Sequence, residues 1–438
     1  MEHTMNVSVV RLLKKRTFLP LFLTQFFGAF NDNAFKFAML TLISYHLSST
    51  QNQSEQYQAV AGALFILPFF FFSAMAGQLA DKFNKTTLIR LIKLFEVILV
   101  SIGSAAFYYG NTTLLMVTLT GMGVHSTFFG PIKYSILPEH IPRQQLLGAT
   151  ALIEASTFIA ILLGTILGTL SIGGVKAASV YAIGLTVLVA VAGLITSLFI
   201  PSACSVASNL QVDWHVWRST KRMIKDVAMN KRIIPAIFAI SWFWLIGAVV
   251  LTKLPDYTNF VLGADSAVFA VFLALFSIGI AVGSIIINRM LLGEITLRYV
   301  PHAMILLSFF AMDLCWASPN KIDNVPLQSI AQFFSHLMHW RIAIDLFFLA
   351  FSGGLFVVPL YTYLQIVSDE HMRSRTIAAN NIINALFMIM GAGLVMSLAH
   401  FNVPISRVFL ILAMLNGCAV VVFWALFLRV RSDNNSGL

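Results

Sequence analysis

The sequence predicts an all-α membrane protein with twelve transmembrane helices in two six-helix pseudo-repeats. Three observations carry this. Of 438 residues, 58% are apolar and 11% charged, with 38 phenylalanines and a mean hydropathy of +0.84; soluble chains run nearer 45–50% apolar and about 25% charged. Apolar stretches of about 20 residues, the length that pairs all its backbone groups across a bilayer, recur along the chain. Basic residues collect in alternate connections between those stretches.

The first span, 18-47, follows Arg11, Lys14, Lys15 and Arg16, runs about 30 residues and has no small-residue cleavage site, so it reads as a helix that stays in the membrane rather than a signal peptide. The next five are 57-80, 88-109, 112-137, 146-172 and 176-200. A connection over 201-231 follows, with Trp214, Trp217, Arg218, Lys221, Arg222 and Lys225 spaced as in an amphipathic helix at a membrane surface. The second set is 232-254, with a possible continuation through Pro255 to 262, then 267-292, 300-318, 342-367, 376-399 and 405-428. The domain boundaries expected are therefore 1-200, 201-231 and 232-438.

An even number of spans puts both termini on one side. Lys176, Lys321, Arg341 and Arg407 fall on the opposite side and Lys36 and Lys253 inside spans, leaving 22 of the 28 Lys and Arg, Lys93 and Lys133 among them, on the side of the termini. The positive-inside rule makes that side cytoplasmic. The same rule accounts for the net charge of +10 and pI near 9.6, because acids are scarce and the basic density is low; no nucleic acid is expected as partner. Cys204, Cys315 and Cys418 are isolated and read as small apolar fillers.

The halves show weak similarity at an offset of about 230 residues. Pro138-Glu139-His140-Ile141-Pro142-Arg143 after the fourth span is similar to Ser368-Asp369-Glu370-His371-Met372-Arg373 after the tenth, and Gly130-Pro131 has a loose counterpart at Val358-Pro359. Between spans two and three stands Gly77-Gln78-Leu79-Ala80-Asp81-Lys82-Phe83-Asn84-Lys85. It resembles the signature loop Gly-x-Leu-Ala-Asp-Arg-x-Gly-Arg-Lys of the major facilitator superfamily, whose fold is two such repeats about an axis along the membrane normal. Gly77 permits close helix packing, and Asp81 at a helix end can pair with a basic group or a neighbouring helix terminus. Gly77, Asp81, Lys82 and Lys85 are thus expected to act in gating. Asn84 stands where the signature has glycine, and asparagine also tolerates a left-handed backbone.

More particular are Gln25-Phe26-Phe27-Gly28-Ala29-Phe30-Asn31-Asp32-Asn33 in span one, Pro131-Ile132-Lys133-Tyr134-Ser135 in span four, Glu154-Ala155-Ser156-Thr157 in span five and Gly353-Gly354-Leu355-Phe356-Val357-Val358-Pro359 in span ten. Together they resemble bacterial lysophospholipid transporters, free-standing or fused to acyltransferase and acyl-carrier-protein ligase domains; no such enzyme domain is present here. The resemblance implies a flippase in the bacterial inner membrane. It would pass lysophospholipid such as lysophosphatidylethanolamine from the outer to the inner leaflet by alternating access, for an acyltransferase/acyl-ACP synthetase to reacylate. A monomer surrounded by membrane lipids is expected.

Charges near mid-membrane mark the candidate site, since each costs at least ~2.5–3.5 kcal/mol on insertion scales. Asp32 lies about 21 Å into span one, by the ~1.5 Å rise of a helix. Lys36 is one turn on, so a local Asp32–Lys36 pair is the alternative to a binding role. A lysophospholipid offers an ammonium that suits Asp32, glycerol hydroxyls that suit Gln25, Asn31 and Asn33, and a phosphate that suits Lys133 or Lys253. Lys133 can instead snorkel to the interface. Lys253 aligns with an arginine in the family and lacks its bidentate fork. Glu154 sits either in the cavity or at a helix contact beside Gly164 and Gly168. His125 reads as bonded to a neighbouring helix or as a proton or substrate group, and Glu96, Asp313 and Asp345 as packing pairs or span-end residues.

His336 and His339 lack a third metal ligand, Gly121-x-Gly123 lacks the third glycine of a nucleotide loop, and no catalytic constellation emerges. No metal, cofactor or enzyme activity is expected. Other classes stay open: a proton-coupled exporter of a drug, siderophore or other amphiphile with Asp32 and Glu154 as proton carriers, a channel or passive scramblase, and a membrane acyltransferase, against which stands the lack of a His-x-x-x-x-Asp motif.

Overall fold

A computed structural model describes residues 9–48, 51–172, 179–203, 207–319 and 327–435. Its first half runs α1 (Leu19–Leu42), α2 (Gln51–Lys82), α3 (Lys85–Tyr109), α4 (Thr112–Ser135), the short α5 (Leu137–His140), α6 (Arg143–Leu170) and α7 (Ser179–Leu198). The connecting helix α8 (Val216–Ala228) leads to α9 (Ile234–Asp256), α10 (Ser266–Met290), α11 (Val300–Ala317), the short α12 (Ile330–Phe333), α13 (Leu337–Val367), α14 (Arg373–His400) and α15 (Ile405–Asn435). Twelve of these have 18 residues or more, one for each predicted span, and they end where local chemistry stops a helix. Asn84 and Asn111 accept the Thr87 and Leu114 N–H groups at the starts of α3 and α4, and Gly110, at φ +63°, closes α3 in the left-handed region. A π turn over Tyr257–Val261 carries the seventh span past Pro255, as its apolar run suggested.

Among the described residues, nine helices are long and apolar enough to cross a membrane. The long helices outside that set are α1, α3 and α4. These three bury the polar cluster described below, so their lower hydropathy belongs to the site.

The packing repeats from half to half. In the first, α1 packs on α4, α6 and α7, α2 on α4, and α3 on α4 and α7; in the second, α9 packs on α13 and α15, α10 on α13, and α11 on α13 and α15. Ser241 Oγ donates to Asn384 Oδ1 at 2.8 Å, joining α9 to α14 as α1 is joined to α6. The two similar loops occupy equivalent places: α5 precedes α6 at Arg143, and a 3-10 turn over Glu370–Met372 precedes α14 at Arg373. Gly164 and Gly168 bring the backbones of α6 and α1 together, since a Cβ at either would collide with the carbonyl of Phe30 or Ala34.

Contacts divide the chain into unit 1, Met1–Met229 with Ser368–Ile382, and unit 2, Asn230–Val367 with Ile383–Leu438. In unit 1, α8 buries Ser219, Met223 and Val227 and exposes Trp217, Arg218, Lys221, Arg222 and Lys225. Gln78 holds it, donating to Ser219 Oγ at 2.6 Å and accepting the Asp213 N–H at 2.8 Å. The bidentate bond from Arg218 keeps the Asp213 carboxyl down at about 2.

The structure corrects several expectations. Lys93, counted with the charges on the side of the termini though it falls within the span 88-109, lies inside α3 with no exposure, where Glu96 one turn on neutralises it. His339 stacks on the Phe333 ring at 3.9 Å. Cys418 is exposed and Cys315 half-buried. Cys204, Lys176 and Lys321 lie outside the described residues.

Candidate functional site

In unit 1, the polar residues of α1 meet three neighbouring helices. Asn31 is fully buried, and its Nδ2 donates to Glu96 Oε1 on α3 at 2.8 Å. Glu96 Oε2 receives Lys93 Nζ at 2.6 Å and lies 3.3 Å from His125 Nε2 on α4. The other ring nitrogen of His125 is 3.8 Å from Asp32 Oδ1, while Ser126 Oγ donates to Asp32 Oδ2. Phe129 closes the cluster, stacking on His125 with Lys93 Nζ 5.2 Å from its ring centre. Gly28 and Gly193 make room for the lysine. Lys93, Glu96 and His125 are at most 1% exposed, but Asp32 is 12% exposed. It is the one part-exposed carboxylate of the cluster.

A second group joins α1 to α6 and α4. Gln25 donates to Ser156 Oγ and accepts from Thr157 Oγ1 at 3.0 Å, and Tyr134 donates to Glu154. Glu154 is closed from solvent, so its place is the helix contact rather than an open cavity. Lys133 Nζ sits 4.7 Å over the Tyr134 ring, within electrostatic reach of Glu154 and Asp32.

The expected residues thus divide. Gln25, Glu154 and the Nδ2 of Asn31 are engaged in bonds between helices, while Asn31 Oδ1 is buried without a hydrogen bond. Asn33 donates to Ala29 on its own helix at 2.8 Å, and its Cβ lies against Gly164. Lys36 does not pair with Asp32 among the described ion pairs; it stands over the Phe37 and Phe65 rings at 5.7 and 5.9 Å. Asp32, Lys36 and Lys133 are all part-exposed, and of the two lysines Lys133 is the one within electrostatic reach of Asp32. Lys253, in unit 2, lies 3.7 Å from Asp256.

By sequence alone Lys93 counts with the charges on the side of the termini and Glu96 reads as a packing-pair or span-end residue, the two not joined. Their i, i+3 spacing of opposite charges inside an otherwise apolar span was the available signal. In unit 2, Trp244 Nε1 donates to the Tyr361 hydroxyl and Trp242 Nε1 to Asn416, bonds that no motif indicated. A cavity of about 670 Å³ there, bordered by Arg298, Tyr299, His302 and Trp424, includes none of the expected site residues.

The residues expected to act in gating also lie in unit 1. Asp81 is fully buried and accepts the Ser374 N–H at 3.0 Å and Arg375 Nε at 2.9 Å, at the N-terminus of α14. That position offers unpaired N–H groups and the positive end of a helix dipole. Gly77 is required beside it, for a Cβ there would meet Ala378 Cβ at 2.8 Å and Arg375 Cα at 2.9 Å. Lys85 pairs with Glu139 at 2.5 Å, whereas Lys82 stands over the Phe83 ring. Asp81→Asn keeps the shape and removes the charge-assisted bond. It is expected to slow turnover several-fold while leaving ligand affinity near the original, since bonds to charged groups are worth about 1.5–3 kcal/mol and none of these atoms faces Asp32. Transport rate and equilibrium binding measured together check this; a loss confined to affinity would count against a gating role.

The profile of the Major Facilitator Superfamily matches residues 21–392. The chain is 26% identical over 409 residues to the lysophospholipid transporter LplT of Photorhabdus laumondii, covering 91% of this chain and 92% of the relative. It is 25% identical over 411 residues to LplT of Yersinia pestis strain Pestoides F, covering 92% of each. Among solved structures, the proton:xylose symporter XylE superposes with a TM-score of 0.72 at 10% identity, covering 95% of this chain and 96% of XylE, a likeness of fold alone.

Proposed function

Since the chain belongs to the Major Facilitator Superfamily, and is a multi-pass membrane transporter rather than an enzyme, we propose that it moves lysophospholipids such as lysophosphatidylethanolamine from the outer to the inner leaflet of the bacterial inner membrane. Both termini are cytoplasmic in this reading, and halves 1-200 and 232-438, joined through 201-231, are the bodies that move in alternating access. A cytoplasmic acyltransferase that reacylates the delivered lipid is the fitting partner.

One observation carries the proposal. Asp32, deep in α1, keeps 12% of its side chain exposed, while the nearby carboxylates Glu96 and Glu154 are shut away with partners of their own. A part-exposed carboxylate in a membrane span calls for a cationic partner on its open side; Lys36 does not serve, and His125 faces only the buried Oδ1. The ammonium of a zwitterionic headgroup supplies one, with Lys133 as the partner for its phosphate. The names of the relatives support this choice over other amphiphiles.

The test is uptake of labelled lysophosphatidylethanolamine into vesicles that contain the protein. Saturable uptake, competed by unlabelled lysophospholipid, is expected; none from folded, correctly oriented protein would overturn the substrate and favour export of another amphiphile. Lys253 is tested separately as a second phosphate partner. Lys253→Arg should keep most of the rate and Lys253→Ala should lose roughly tenfold, the worth of a charge-assisted bond of about 1.5 kcal/mol. Equal rates in all three proteins would assign Lys253 to its pairing with Asp256 alone.

A further inference from the structure

The cluster around His125 contains one more negative charge than its permanent cation can offset. Asp32 on α1 and Glu96 on α3 are two carboxylates, and Lys93 is the lysine in contact, bonded to Glu96. His125 lies between the carboxylates with one ring nitrogen toward each, Nε2 at 3.3 Å from Glu96 and Nδ1 at 3.8 Å from Asp32. A neutral imidazole carries a proton on one nitrogen; only the imidazolium offers an N–H to both. Asp32 Oδ1 and both ring nitrogens of His125 are buried without a hydrogen bond, the other Asp32 oxygen being taken by Ser126, so what faces each ring nitrogen is a carboxylate oxygen at charge-pair distance.

The other elements around the ring do not alter the balance. Against α4, α2 brings Phe65 and Pro68 to Gly123 and Phe72 to Phe128, and α7 brings Gly193 to Lys93. From α1 comes the neutral Asn31. Lys36 and Lys133 each stand over an aromatic ring and, among the described residues, form no ion pair with the cluster; Lys133 is within electrostatic reach of Asp32, but the nearer balance of its charge is Glu154.

We propose that His125 is a proton-binding site whose proton is exchanged against a cationic group bound at Asp32. The step conserves charge. With Asp32 unoccupied, the imidazolium balances the second carboxylate. When an ammonium group docks on the part-exposed face of Asp32, that carboxylate is balanced from outside, His125 is left between Lys93 and the new cation, and its proton leaves to water. Release of the ammonium group returns a proton to the ring. No electron transfer or co-reactant is involved. The proposal rests on Asp32 as the headgroup site of the reading above, and it implies proton coupling for ammonium-bearing lysolipids and none for a glycerol headgroup.

The experiment uses full-length purified protein in weak buffer near neutral pH with an indicator dye, and measures binding of radiolabelled lysolipid in parallel. Lysophosphatidylethanolamine and lysophosphatidylcholine should each release about one proton per lipid bound, and lysophosphatidylglycerol none. His125→Gln should bind without release. A second measurement needs no lipid: ¹⁵N spectra of histidine-labelled protein should show an imidazolium that vanishes in His125→Gln and becomes a neutral ring in Asp32→Asn. If His125→Gln does not fold, the Asp32→Asn spectrum carries the same inference. Ammonium lipids that bind without releasing protons would overturn the exchange and leave the substrate reading intact. If no lysolipid binds, the substrate reading falls and the spectra decide alone: a neutral His125 in the unmodified protein overturns the proton site, and a charged ring neutralised by Asp32→Asn sustains it.

Discussion

Glu96→Leu is expected to lower the unfolding temperature more than any other single change in unit 1. The substitution removes the acceptor of Lys93 at 2.6 Å and of Asn31 at 2.8 Å, and leaves a lysine with no exposure and no counter-ion. Breaking a buried pair from one side costs about 3–5 kcal/mol, whereas replacing both partners by apolar groups is often neutral. Lys93→Met combined with Glu96→Leu should therefore recover much of the loss. Thermal unfolding followed by loss of monodisperse protein separates the cases. Equal melting of both variants and the unmodified protein would mean that the pair contributes nothing to stability.

Asp32→Asn should do the reverse, sparing the fold and removing transport. Asparagine fills the same space and still accepts from Ser126, and Asp32 has no lysine partner in the fold to strand. Its charge is what the ammonium needs. A bond to a charged group is worth about 1.5–3 kcal/mol, so uptake of lysophosphatidylethanolamine should fall roughly tenfold or more at limiting substrate. A variant that unfolds at the unmodified temperature and transports at the unmodified rate would remove Asp32 from the mechanism.

The twelve helices were legible because the bilayer imposes a length and a composition on every span. The helix ends were legible to within a few residues, and they shifted where a cap acts: α3 begins at Lys85, not at residue 88, because Asn84 caps it. Charges inside spans pointed to Asp32, Lys36, Lys133 and Glu154 as residues that require a partner. The partners themselves were not legible. Lys36 is adjacent to Asp32 on one helix face, yet it turns to Phe65 on α2, while Asp32 turns to residues of α4 more than ninety positions away. Lys93 counts with the charges on the side of the termini because it lies within two turns of the predicted start of its span, and Glu96, read as a packing-pair or span-end residue, had no motif to name its partner.

Composition and the spacing of apolar stretches determined by themselves that this chain is a polytopic helical membrane protein with an internal repeat. The signature around Asp81 and the polar run through Asp32 determined its family resemblance. Tertiary structure alone decided which polar residues hold helices together and which remain open. Gln25, Asn31 and Glu154 went to the first group and Asp32 to the second. Tertiary structure alone also assembled Lys93, Glu96 and His125 beside Asp32. The physical reason is that hydropathy is a property of a segment, whereas the pairing of a buried charge depends on the crossing of helices far apart in sequence, and in a medium without water that pairing determines what a charge can do.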